Sequence, residues 1–134
     1  MAIIIFEPFG SSLPKPPHPG PHPLPRVRVF EIRNDNYVGD CMLHAQSSVV
    51  LVETGQIGIN WVTRSSDTND TWNGHFEFFD ESGASLGVSG DDMLLAHMSD
   101  SNEDYHFSWL SKVEYDVVRD RFPEIAIVQL ICDC

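Results

Sequence analysis

Between Gln56 and Val88 the side chains alternate in a way that only extended backbone can use. Ile57, Ile59 and Trp61 alternate with Gln56, Gly58 and Asn60, and Phe76 and Phe78 alternate with His75 and Glu77. A period of two places every second side chain on one face of a sheet. The polar run Ser65-Ser66-Asp67-Thr68-Asn69-Asp70 separates the two halves, and Asp80-Glu81-Ser82-Gly83 turns the chain into a further short apolar stretch ending at Val88. Polar turns carrying glycine join antiparallel strands, because glycine takes positive φ at little steric cost. The middle of the chain is therefore a run of hairpins, and its flanks must pack on a sheet.

The flanks agree. Ile3, Ile4 and Ile5 are β-branched and predict a short strand over residues 2 to 6. Eight of the nine prolines then fall between Pro8 and Pro25. Proline fixes φ and removes a donor, so this tract joins neither a helix nor a central strand and reads as an extended arm. Residues 1–25 are thus a strand plus a Pro/His-rich arm, and residues 26–134 the globular domain. The arm has three readings: a spacer, a ligand for an aromatic-lined groove on a partner, or a metal tract through His18 and His22. Its strand can also add to a neighbouring sheet and build a homo-oligomer.

Strands are expected over 26–33, over 37–53 as one long or two short pieces, and through Tyr105, Phe107 and Trp109. The run Met93 to Met98 has no decisive period. Ser111-Lys112-Val113-Glu114 has the spacing of a capping box, and Pro123 marks a stop, which predicts a helix near Lys112–Arg121. The competing reading is a strand with Val113, Tyr115 and Val117 on one face. Ile125 to Ile131 is a near-continuous apolar run that suits a strand covered on both sides. The fold class is mainly β: a single-domain antiparallel β-sandwich or curled sheet of seven or eight strands, with one short helix near the C-terminus.

A chain of 134 residues buries enough surface for a core of its own. Twenty acidic residues against eight basic ones give a formal charge of -12. Such a field repels phosphate backbones and argues against nucleic acid, while it favours and speeds encounter with a basic protein surface. No apolar run has the roughly 18 residues of a membrane span. Met1 to Phe6 lacks the basic start of a signal peptide. Three cysteines, Cys41, Cys132 and Cys134, suit free thiols in a reducing compartment, so the chain reads as cytoplasmic; a secreted form with a removed signal is the alternative.

Several residues raise the question of chemistry. Cys41 lies in Gly39-Asp40-Cys41-Met42-Leu43-His44. This stretch resembles the Gly-x-Cys element of papain-like and OTU-type cysteine hydrolases. The resemblance implies a helix opening at Cys41, whose N-terminus with a distant histidine lowers the thiol pKa. His75, His97 or His106 would be the base, and Asp80 would orient it. Against it, Ser48-Val49-Val50-Leu51-Val52 reads as strand where that family has helix. Cys132 and Cys134, with Cys41 or a histidine, are candidate zinc ligands. The acidic turns Asp67 to Asp70 and Asp91-Asp92 raise calcium, although Trp72 stands where an EF-hand loop needs glycine. Trp61 and Trp109 fall in the apolar register of their strands. Trp72 follows a polar loop and is the tryptophan expected to be partly exposed, where it can stack on a sugar. The leading expectation is a non-enzymatic acidic protein-interaction domain, such as an inhibitor, an immunity-type factor or an assembly component. The alternatives are a carbohydrate- or small-ligand-binding sandwich and a Cys41 hydrolase.

Overall fold

The computed structural model describes residues 1–10 and 24–134. Most of the proline tract, with His18 and His22, lies outside the described residues. The described residues form eleven strands: β1 (Ala2–Pro8), β2 (Val27–Glu31), β3 (Asn36–Val38), β4 (Cys41–Leu43), β5 (Ser48–Val52), β6 (Ile57–Ser65), β7 (Asp70–Phe79), β8 (Ser85–Val88), β9 (Met93–Met98), β10 (Tyr105–Leu110) and β11 (Ile127–Asp133). One helix, α1 (Asp116–Arg121), and a 3₁₀ turn (Phe122–Glu124) precede β11. The described residues are mainly β with a single short helix near the C-terminus, the fold class that the sequence predicts.

All pairings are antiparallel and fall into two sheets. In the first, β1 lies beside β11, β11 beside β7, and β8 and β9 share the far side of β7. In the second, β2, β5, β6 and β10 follow one another, while β4 continues along β6 beyond β5 and carries β3 outside it. The N-terminal strand β1 is a member of both sheets, paired with β11 over Ala2 to Phe6 and with β2 at Glu7 and Pro8.

The extra strands have local causes. The 37–53 segment divides into β3, β4 and β5 because Gly39 and Gln46 take positive φ and turn the chain twice. The undecided run Met93 to Met98 is β9, held by register with Asp70 to Gly74.

Alternation sets the core. On β7, Trp72, Phe76 and Phe78 point inward, on β6 Ile57, Ile59 and Trp61, and on β11 Val128, Leu130 and Cys132; all are at most 2% exposed. Each large side chain buried this way contributes about 1.5–3 kcal/mol. Trp61 stacks on Phe6 at 6.4 Å and meets Trp72 edge-on at 6.1 Å. The Trp72 indole N–H donates to Thr63 Oγ1 at 2.8 Å, and that hydroxyl donates to the Met42 carbonyl at 2.6 Å. The expected exposure of Trp72 does not hold: hairpin pairing starts at Asp70, so Trp72 is already an inward position. Gly74 is the close approach between the strands, since a Cβ there would sit 2.3 Å from the Ile131 carbonyl oxygen.

The helix begins later than the capping-box spacing predicts. Ser111 Oγ accepts the Ile57 N–H at 3.0 Å and donates to the Val113 carbonyl at 2.7 Å, tying the end of β10 to the start of β6. It is thus unavailable as a cap, and Tyr115 occupies the N-cap position with no side-chain cap. The Arg28 guanidinium donates to the carbonyls of Phe122 and Ile125 and lies 4.9 Å over the Phe30 ring, so β2 anchors the turn after α1. Burial, and secondarily the charge of Arg26, pull the Arg28 pKa below its ordinary value. None of the described helices is long and apolar enough to cross a membrane.

Candidate functional site

The outward side of the second sheet carries an ordered set of side chains. Strand register aligns Val29, Val50, Gly58 and Leu110 in one row across β2, β5, β6 and β10. The next row is Glu31, Ser48, Asn60 and Ser108. Beyond it Val62 faces His106, and the His106 ring nitrogen is hydrogen-bonded to the Asn60 side-chain oxygen. An apolar row thus lies beside a polar row that ends in a carboxylate.

These rows shape a groove of about 480 Å³ lined by Val50, Gly58, Asn60, Ser108 and Leu110. Gly58 makes it possible. A Cβ at that position would sit 2.8 Å from the Trp109 carbonyl oxygen and 3.2 Å from Leu110 Cδ1. Without one, the sheet surface has a hollow between Val50 and Leu110. Leu110, in the groove wall, is 49% exposed, and Val62, beyond the polar row, 36%. Chemically the groove offers an apolar floor, the Asn60 amide and the Ser108 hydroxyl, with the His106 imidazole held against Asn60 beside it.

The residues singled out for catalysis are not brought together. His75 on β7 is 2.7 Å from Asp92, and His97 Nδ1 is 2.7 Å from Thr71 Oγ1; both lie on the outer side of the first sheet. His106 lies on the outer side of the second. Asp80 accepts the Ser82 and Ala84 N–H groups and the Ser82 hydroxyl within its own turn. The Ser82 hydroxyl first, and then the backbone donors, hold its carboxyl below the usual carboxylate range. Cys41 opens a strand, not a helix, because register with Ser65 fixes it extended.

Cys41 is also not a thiol. It is disulfide-bonded to Cys134, with a Cα–Cα distance of 6.1 Å and a sequence separation of 93. The bond joins β4, at the rim of the second sheet, to the end of β11 in the first. The expectation of three free thiols is corrected on this point, and β11 stays paired through Asp133. Of the candidate zinc ligands only Cys132 keeps its thiol. Burial, and then the Asp133 charge, push that thiol up to about 12. Asp70 Oδ2 lies 3.7 Å from Cys41 Sγ and accepts a hydrogen bond from the Ser65 hydroxyl. Among the described residues no group of three or more His, Cys, Asp or Glu side chains is arranged to hold a metal ion.

Sequence reasoning missed the groove and the cross-link. Gly58, a glycine inside an otherwise strong strand, was the available signal for the first. For the second, nothing local marks Cys41 and Cys134 as partners.

Residues 48–134 match the model of the family described as a family of unknown function, DUF6294, and the chain belongs to it. The matched span holds β5, β6 and β10, and so most of the groove, along with Asp70 and Cys134, but not Cys41. No curated protein and no solved structure matches the chain.

Proposed function

We propose that this member of the DUF6294 family is a non-enzymatic protein-interaction domain, and that the outer side of its second sheet takes a basic partner surface. The groove over Gly58 carries the reading. It offers an apolar hollow between Val50 and Leu110 for one inserted side chain, with Asn60 and Ser108 to fix the approach. The charge of -12 supplies the complement for lysine or arginine around that side chain, and Glu31 closes the polar row. Inhibitor, immunity-type factor and assembly component all fit such a surface. Sugar binding loses its support with the burial of Trp72. For the compartment, the Cys41–Cys134 bond supports an oxidising setting rather than the cytoplasm that three free thiols suggest.

The test is capture followed by contrast. Proteins that the wild-type chain retains from its own cell are rebound to Leu110→Arg and to Glu31→Lys variants. A substitution at an exposed position such as Leu110 changes stability by about 0.5 kcal/mol or less, so both variants fold. The genuine partner is lost with either variant and weakens as salt is raised. A partner that binds both variants and is indifferent to salt refutes the proposal.

A further inference from the structure

We propose that Asp70 guards the Cys41–Cys134 disulfide against thiol reductants, so that the cross-link, once formed, stays closed. The two sulfurs are unequal. Cys41 is 0% exposed, whereas Cys134 is partly exposed, so Cys134 is the half of the bond that a reductant meets first. A dithiol reductant then reacts in two steps. Its first thiolate forms a bond to Cys134 Sγ while the bond to Cys41 breaks, and the electron pair leaves on Cys41 Sγ. Its second thiolate attacks the reductant sulfur of the mixed disulfide and releases Cys134 as a thiolate. The dithiol becomes a cyclic disulfide, the protein takes up two electrons, and solvent protonates both cysteine sulfurs.

The first step is the one that the structure opposes. The Cys41 thiolate would emerge 3.7 Å from the Asp70 carboxylate. Among the described residues Asp70 makes no ion pair that would offset its charge; its partner there is the neutral Ser65 hydroxyl. A sulfur leaves more slowly as its thiol becomes less acidic. Attack from within the protein is also blocked. Cys132 stands two residues from Cys134 on the same strand, but it is 2% exposed and stays a protonated thiol, which is not a nucleophile. Asp70 is thus a positioning charge, and the expected use of the chain is where disulfides are made and kept.

The experiment follows the reduction of the folded, oxidised protein by dithiothreitol, with alkylation and intact mass as the readout, over a range of dithiothreitol concentrations. Asp70→Asn keeps the shape and an acceptor for Ser65 while removing the charge. Its second-order rate constant should exceed that of the wild type by about tenfold, from a unit charge about 4 Å away at an intermediate dielectric. In urea, where the guard is dispersed, the two proteins should react at the same rate. Equal second-order rate constants for the folded proteins overturn the proposal. So does a rate independent of dithiothreitol concentration, since reduction then waits on opening of the fold and not on the leaving sulfur.

Discussion

Removing the Cys41–Cys134 bond should lower stability by a calculable amount. The bond closes a loop of 93 residues. Loop-closure entropy for that length comes to about 4.6 kcal/mol at 25 °C, and measured values for native disulfides run at about 2–5 kcal/mol. For a chain of this size that corresponds to a fall in Tm of roughly 7–18 °C. The loss should be uneven. Strand β4 is short and pairs β6 at Cys41–Ser65, Met42–Arg64 and Leu43–Thr63, with β3 outside it, so this hairpin loosens first. The assay is thermal unfolding by circular dichroism of the Cys41→Ala/Cys134→Ala protein. Wild type refolded with reductant present controls for the small cavity that Ala leaves at Cys41. Amide exchange reports the hairpin. If both reduced and double-Ala proteins melt within about two degrees of the oxidised wild type, the bond does not clamp the two sheets and the argument fails.

Three further outcomes follow from the packing. Gly74→Ala forces a Cβ to 2.3 Å from the Ile131 carbonyl oxygen, so it should destabilise by about 3 kcal/mol or more in urea unfolding; a loss under about 1 kcal/mol would show that β7 and β11 are farther apart. Thr63→Val removes the acceptor of the Trp72 indole and the donor to Met42, which should cost about 1–3 kcal/mol and blue-shift little of the buried tryptophan emission. Glu53 accepts hydrogen bonds from the Arg26 guanidinium at 2.6 and 2.9 Å, and the side-chain bond to Arg26 is the main reason its carboxyl lies below its ordinary value. Its folded pKa is depressed, so its contribution is present above the unfolded carboxylate pKa of about 4.3 and is lost as pH falls through the folded value. Glu53→Gln should therefore flatten the acid limb of the stability–pH curve, and an unchanged limb would contradict the pairing.

The parts of the fold that could be read in the sequence are those where one side of a strand is buried. Trp72-Asn73-Gly74-His75-Phe76-Glu77-Phe78 sorts into inward and outward sets by period alone, and β6 does the same. The unread parts depend on who lies alongside. Ile3 and Ile5 show that β1 is extended, but not that Ile3 faces Ile131 across the chain's ends. The same distance hides the Cys41–Cys134 pairing. Ser111 illustrates a local signal overridden by tertiary contact: its hydroxyl meets Ile57 before it can cap a helix. The groove was illegible because its walls come from β5, β6 and β10, and only their register brings Val50, Gly58 and Leu110 into one row.

Three of the six histidines give the most direct test of which side of the molecule binds. His106 lies on the outer side of the second sheet, hydrogen-bonded to Asn60 at the groove, while His75 and His97 lie on the outer side of the first. Diethylpyrocarbonate labelling, read by mass spectrometry with and without the captured partner, distinguishes the two. Protection of His106 with His75 and His97 still labelled is the result expected. Protection of His75 and His97 with His106 unchanged would put the partner on the opposite sheet and contradict the account.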